Sequence, residues 1–130
     1  MKPTLLDADM LSYLLRRPAV VEQAARYIPE PGQLNLSIIT YYEALSGLLY
    51  RNAQQQLSRF QKFVTLHRVL PLTVDSVNIA ARIEADLRQQ GLAVGAADTL
   101  IAGIALANDL QLATNNTRHH QRIPGLQLVN

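Results

Sequence analysis

Short, uninterrupted apolar runs recur along the chain, separated by longer segments with helical periodicity. Apolarity that is continuous rather than alternating is typical of strands buried on both faces. The runs predict strands over residues 3–7, 34–39, 68–72, 110–114 and 126–129. The segments between them predict helices over residues 10–16, 18–27, 41–51, 54–66, 74–90 and 96–108. Strands that alternate with helices favour an α/β domain with a parallel sheet.

The breaks between these elements are short. "PEPG" at 29–32, Gly91 and "IPG" at 123–125 predict turns, and none is long enough to be a linker. A chain of 130 residues can bury a core of its own, so we expect a single domain over residues 1–130. The first residues lack the apolar stretch of a signal peptide and no window reaches membrane-spanning length, so we expect a cytoplasmic protein.

Composition excludes several kinds of site. The chain has no cysteine, so disulfides, thiolate zinc sites and cysteine nucleophiles are ruled out, and a metal would need oxygen or imidazole ligands. It also has no glycine-rich phosphate loop and no G-x-S-x-G elbow. The formal net charge is +2, a mild excess that permits a polyanionic partner without requiring one.

Two acids follow the first predicted strand in "LLDADML". Asp7 stands at the carboxyl end of that strand, where open parallel sheets bind their ligands. Asp is also a favoured helix N-cap, and Asp9 suits that role better because the next helix is predicted to begin near Met10. From these residues alone, capping and function are evenly balanced.

Glu43 and Asp98 each have a structural and a functional interpretation. Thr40 followed three residues later by Glu43 matches a capping box, which by itself favours a capping role. Asp98 lies in "AADTLIAGIALA", where only Asp98 and Thr99 have polar side chains. A helix that is apolar all round is buried, so the carboxylate of Asp98 needs a cation, hydrogen bonds or a pocket. The ordinary alternative is an acid in the first turn that is stabilised by the helix dipole.

The segment after the fourth strand, "ATNNTRHHQR", is polar and basic. Asn115 and Asn116 fall at the same edge of the sheet as Asp7, although an Asn pair more often simply forms a turn. Adjacent histidines project in different directions, so we expect His119 and His120 to lie at the surface or face phosphates rather than bind a metal.

Acids at the ends of separate elements, brought to one edge of a parallel sheet, would form an oxygen-lined site for Mg²⁺ or Mn²⁺. Such an ion can activate a bound water and stabilise both oxygens of a phosphodiester during in-line displacement. Arg118 and Arg122 would then contact the backbone phosphates of a nucleic acid.

At this point the sequence resembles the PIN-domain ribonucleases, and within them the VapC toxins of bacterial toxin-antitoxin pairs. "LLDADMLSYLL" is similar to the opening motif of that family and "TYYEAL" to its second acidic motif. "DTLIAGIAL" and "LATNNTRHHQRIPGLQL" resemble the third motif and the C-terminal stretch. The resemblance implies a three-layer α/β/α sandwich around a parallel sheet of about five strands, and Mg²⁺- or Mn²⁺-dependent cleavage of RNA.

The resemblance also assigns roles to residues. It implies that Asp7, Glu43 and Asp98 are the metal-binding acids, while Asp9 takes the place of a usual Asn and lies behind the ligands. The family often has a further acid in its last motif, but here the corresponding positions hold Asn116 and His119. The resemblance leaves Asn116 a role through its amide oxygen or a water, and leaves the number of metals open. Thr114 would orient the network around the metal.

Partners follow from the same resemblance. It implies a VapB-like antitoxin that covers the acidic cleft, a toxin homodimer, and binding of operator DNA only through the toxin-antitoxin complex. Two alternatives stay open. A haloacid-dehalogenase-like phosphatase also begins with D-x-D after a first strand, and a PIN-like module that binds RNA or protein without cleavage would fit the missing acid.

Overall fold

Five strands form one parallel sheet in the computed structural model, which describes residues 3–17, 34–114 and 120–129. The strands are β1 (Thr4–Leu6), β2 (Leu34–Ser37), β3 (Arg68–Leu70), β4 (Gln111–Ala113) and β5 (Leu128–Val129). Their order in the sheet is β3-β2-β1-β4-β5, so β1 is central and pairs with both β2 and β4. Strands β2 and β3 are added on one side of β1, and β4 and β5 are added on its other side. The strand order therefore reverses between β1 and β4, and the carboxyl ends of these two strands are the expected place for a ligand.

Helices cover both faces of this sheet because successive strand residues point to opposite sides. On one face, Leu6 packs with Leu36 and Phe60 in a core to which three helices contribute. On the other face, Leu5 packs with Leu112 and Ile104. The helices in the described residues are α1 (Ala8–Leu15), α2 (Ile38–Arg51), α3 (Gln54–Leu66), α4 (Val74–Gln89) and α5 (Ala96–Ala107). The first three lie on the Leu6 side, α5 lies on the Leu5 side, and α4 packs outside α5.

The α4 and α5 helices approach each other closely at Gly103. A Cβ on Gly103 would overlap the backbone carbonyl oxygen of Ser76 and would lie 3.0 Å from the Cβ of Ala80. Ser76 belongs to a capping box at the start of α4, in which Thr73 and Ser76 each bond the other's backbone N–H. The absence of a side chain at Gly103 therefore sets the distance between α4 and α5, and with it the position of α5 over the sheet.

The parallel α/β sandwich predicted from the sequence is confirmed, and α3 has the predicted bounds. The predicted helix over 18–27 lies outside the described residues. The start of α2 was predicted wrongly, because Ile38 and Ile39 extend the apolar run of β2 but belong to the helix. Ser37 ends the strand and caps the helix, its hydroxyl accepting the N–H of Thr40 at 2.9 Å. None of the helices in the described part of the chain is long and apolar enough to cross a membrane.

Candidate active site

Asp7 connects the central strand to the first helix. Its N–H continues the sheet by donating to Ala113 O at 3.1 Å, and its side chain is buried at the carboxyl end of β1. One carboxylate oxygen, Oδ1, accepts the N–H of Met10 at 2.9 Å, so Asp7 is the N-cap of α1. The sequence assigned this cap to Asp9, which was wrong because the helix starts two residues earlier than predicted. Asp9 is exposed in the first turn of α1.

The other carboxylate oxygen of Asp7 contacts the neighbouring strand. Thr114 directly follows β4, is fully buried, and donates its hydroxyl to Asp7 Oδ2. Burial raises the pKa of Asp7 above its ordinary value, while the hydrogen bonds from Thr114 and Met10 act in the opposite direction. The two bonds use one oxygen each, so the carboxylate is held in a single orientation between β1 and β4.

Glu43 lies in the second turn of α2, the helix that follows β2, and β2 is the strand next to β1. The capping box predicted for Thr40 and Glu43 is not formed, because Ser37 caps the helix and Glu43 is beyond its first turn. Partial burial raises the pKa of Glu43, and the negative charges of Asp98, Asp9 and Asp7 raise it further. Three other carboxylates are therefore close enough to disfavour ionisation of this one.

Asp98 is in the first turn of α5, on the opposite face of the sheet from α1 and α2. Its helix is buried, as its apolar sequence predicted, and the carboxylate keeps 28% of its side-chain surface exposed. Gly95 precedes the helix and supplies no side-chain cap. Nε2 of His120 lies 3.7 Å from Asp98 Oδ1.

The acidic centre, defined here as Asp7, Glu43 and Asp98, thus brings together carboxylates from three elements. They lie at the carboxyl edge of the sheet, beside the point where the strand order reverses. Two of the three have raised pKa values: burial is the largest cause for both Asp7 and Glu43, and the neighbouring negative charges raise the pKa of Glu43 further.

A divalent cation suits the donors of this centre. Among the described residues, no three carboxylate or imidazole side chains are close enough to coordinate one ion together. Mg²⁺ does not need such a set, because it is usually held by one or two carboxylates and fills its shell with water and substrate phosphate. The oxygen donors and the unfavourable crowding of charge therefore fit a hard divalent cation.

A family model described as "PIN domain" matches residues 4–126. The chain belongs to the PIN-domain family. Among curated relatives, it is 30% identical over 125 residues to the tRNA(fMet)-specific endonuclease VapC of Shigella flexneri, covering 95% of this chain and 93% of that one. It is 29% identical over 129 residues to ribonuclease VapC1 of Rickettsia felis, covering 96% and 93%.

Solved structures agree with this PIN-domain assignment. The chain superposes on the DNA-bound VapBC of Salmonella typhimurium with a TM-score of 0.86 at 26% identity, covering 99% of this chain and 98% of that one. The likeness to VapBC-1 of nontypeable Haemophilus influenzae has a TM-score of 0.82 at 26% identity, covering 98% and 96%. The resemblance noted from the sequence motifs is confirmed, and the phosphatase alternative, which belongs to another family, is wrong.

The remaining predicted residues of this PIN domain divide into two groups. Asn116, Arg118 and His119 lie outside the described residues. Arg122 is exposed and lines a groove with Asn78 and Leu106, near the end of α5 that is remote from Asp98. The structure therefore does not bring Arg122 to the acidic centre.

His120 is the residue that the sequence placed wrongly. We expected it at the surface or facing phosphate, but only 2% of its surface is exposed and its ring lies beside Asp98. The sequence pattern that would have indicated burial is its spacing to Ile123, which is also buried and whose N–H donates to His120 O at 3.1 Å. Because His119 and His120 are adjacent and are flanked by Arg118 and Arg122, the segment reads as polar and this spacing does not stand out in the sequence.

Proposed function

We propose that this PIN domain is an Mg²⁺- or Mn²⁺-dependent endoribonuclease, acting as the toxin of a toxin-antitoxin pair. The observation that carries the proposal is the meeting of Asp7, Glu43 and Asp98 at one edge of the sheet, with raised pKa values for Asp7 and Glu43. The curated relatives that match nearly the whole chain are named as VapC ribonucleases, which supports RNA as the substrate.

In this proposal one or two carboxylates of the acidic centre would hold the cation directly, and the rest would act through its bound waters. When bound, the cation would supply an activated water and stabilise negative charge on the phosphodiester. Thr114 and the Met10 N–H keep the Asp7 carboxylate from rotating, so that its orientation does not depend on a ligand. His120 packs beside Asp98 and limits the positions that this carboxylate can take. Preorganised groups of this kind avoid the cost of reorganisation during reaction.

The test is RNA cleavage by the purified, antitoxin-free protein with Mg²⁺ or Mn²⁺, and in EDTA. Asp7→Asn and Asp98→Asn should each reduce cleavage at least about 100-fold, while Asp9→Asn should leave much of it. The change at Asp7 is conservative, since an amide oxygen can still accept the Met10 N–H. Asp75, in the first turn of α4, gives a matched control, because Asp75→Asn removes one first-turn carboxylate away from the acidic centre.

Cleavage that persists in EDTA, or that survives both active-site substitutions, would disprove the metal-dependent nuclease. A protein that retains RNA but does not cleave it with either metal would instead support the non-cleaving PIN-like module. Initiator tRNA is a suitable first substrate, because the Shigella relative is named as specific for it.

We also propose a VapB-like antitoxin that covers the acidic centre, and operator DNA bound only by the complex. The superposition on DNA-bound VapBC of Salmonella supports both. We further propose a homodimer, supported by large apolar side chains exposed on α2 and α3: Tyr42, Leu49, Tyr50 and Leu66. Light scattering tests both assemblies by measuring the mass of the free protein and the mass of the protein co-expressed with the product of the neighbouring gene. DNA retention by the free toxin would contradict the operator proposal.

A further inference from the structure

A polar groove of about 510 Å³ leads away from the acidic centre between α1 and α2. Asp9 and Glu43, near the starts of the two helices, line one part of it, and Arg16 and Arg51, at their ends, line another. A helix rises 1.5 Å per residue, so the backbone positions of the acids and the arginines are separated by about 10–12 Å along the groove. The groove is therefore acidic at the end next to the acidic centre and basic at the other.

The two arginines are available for an anion. Arg16 donates Nε to the backbone oxygen of Ser12 at 3.3 Å, and the guanidinium of Arg51 lies over Gly47, 3.3 Å from where a Cβ would be. Both residues are exposed, and neither forms an ion pair with a carboxylate of residues 3–17, 34–114 or 120–129. A guanidinium group matches the geometry of a phosphate and binds it through two N–H donors.

The described lining of the groove offers no platform on which a base could stack, because none of its residues has an aromatic side chain. The remaining side chains that line it are small, aliphatic or uncharged polar ones: Ala8, Ser12, Leu15, Ala44, Leu48 and Gln56. A ligand that suits both ends must carry negative charge next to the arginines. At the acidic end it must bind together with a cation that neutralises the carboxylates. A nucleic-acid backbone meets both requirements.

We propose that this groove binds the sugar-phosphate backbone of the RNA, with Arg16 and Arg51 contacting a phosphate next to the one that is cleaved. The inference rests on the proposed ribonuclease function and adds the path of the substrate to it. The arginines lie about two helical turns after the acids on the same two helices, so we assign them to a phosphate that neighbours the reacting one. They are binding residues, and they do not distinguish one base sequence from another.

Two measurements test the groove. Arg16→Gln and Arg51→Gln should each raise KM for a cleaved RNA about 3- to 10-fold and leave kcat nearly unchanged, because the contact is exposed and is not made with the reacting phosphate. In anisotropy titrations in EDTA, each change should lower the slope of log Kd against log salt by about 0.7. Arg51→Lys should keep the salt slope while weakening binding, since charge is retained and the paired donors are lost. The loss should be the same for an RNA of shuffled sequence.

Arg82→Gln is the matched control. Arg82 is an exposed helical arginine that lines a different groove, on α4, so its removal changes the net charge equally without touching the α1–α2 groove. Unchanged KM and salt slope in the Arg16 and Arg51 variants, or equal effects from Arg82→Gln, would overturn the inference and leave the nuclease standing. Weaker capture of the co-expressed antitoxin with no change in RNA binding would show that the groove serves a protein instead.

The proposed function and the groove fail in different ways. If the wild-type protein binds RNA but no metal supports cleavage, the nuclease proposal fails and the salt slopes still test the groove. If wild type cleaves and the arginine variants match it in KM and in salt slope, only the groove is wrong.

Discussion

Gly103→Ala tests how closely α4 and α5 must approach. In an open helix, replacing Gly by Ala stabilises a protein by about 1 kcal/mol, because Ala has the higher helix propensity. At Gly103 the new methyl group would overlap the carbonyl oxygen of Ser76 and would lie 3.0 Å from the Cβ and 3.2 Å from the N of Ala80. Two of these three atoms are backbone, so they cannot move aside as a side chain can.

The expected net effect is destabilisation. Overpacking in a well-packed interior costs about 1–3 kcal/mol, and occasionally more. Displacing Ser76 would also disturb the capping box of α4, which is worth about 1 kcal/mol. After the gain in propensity is subtracted, we expect the free energy of unfolding to fall by about 1–3 kcal/mol and the Tm to fall by about 4–12 °C.

Gly47→Ala is the matched control, since it makes the same change in the same type of helix. A Cβ there would meet only Nη1 of Arg51, the mobile end of a long side chain, at 3.3 Å. We expect this variant to gain about 0.5–1 kcal/mol. Urea unfolding followed by circular dichroism and calorimetry of both variants gives the comparison. If Gly103→Ala were as stable as Gly47→Ala, the close packing of α4 on α5 would be refuted.

Three further predictions concern the acidic centre. The pKa of Glu43 is raised in the native state, so the native protein holds the Glu43 proton to a higher pH than the unfolded chain does. The native state therefore loses stability as pH rises above about 4.5, the ordinary pKa of a glutamate. The Tm advantage of Glu43→Gln over wild type in metal-free buffer should therefore grow from pH 4.5 towards neutrality, and a constant difference would contradict this. Thr114→Val removes the hydroxyl that donates to Asp7, and it should lower the free energy of unfolding by about 1–2 kcal/mol and reduce activity. Thr114→Ser keeps the hydroxyl and should retain both stability and activity. Equal denaturation midpoints for the two variants would argue against the hydrogen bond. His120→Phe keeps a buried ring but removes the imidazole beside Asp98. We expect at least about a tenfold loss of RNA cleavage with a Tm close to that of wild type. Full activity of this variant would show that His120 has no role in the site.

The sequence predicted best what depends on local pattern. All five strands lie within the predicted apolar runs, and the apolar helix with Asp98 is buried as its composition required. The starts of α1 and α2 were missed because Asp7 and Ser37 each end a strand and cap a helix at once. β-Branched residues such as Ile38 and Ile39 favour strands, so the apolar run gave no sign that the strand had ended.

The parts of the site that could not be predicted are those made by distant segments. Nothing near Glu43 in sequence indicates that Asp98 lies on the other side of the sheet and raises its pKa. His120 is 22 positions from Asp98 along the chain, and only the packing of its segment against α5 brings the two side chains together. Charge crowding of this kind arises from the tertiary fold, and therefore has no local sequence pattern.

The central position of β1 has a consequence for the order in which the site is completed during synthesis. The carboxylate of Asp7 is fixed by Thr114, which lies 107 residues further along the chain and is therefore made much later. Asp98 is likewise made after β1, β2 and β3. A growing chain that carries β1, β2 and β3 has neither the strand that pairs with the other edge of β1 nor the third acid. The site, with its fixed Asp7 and its third acid, is therefore complete only after Thr114 has been translated.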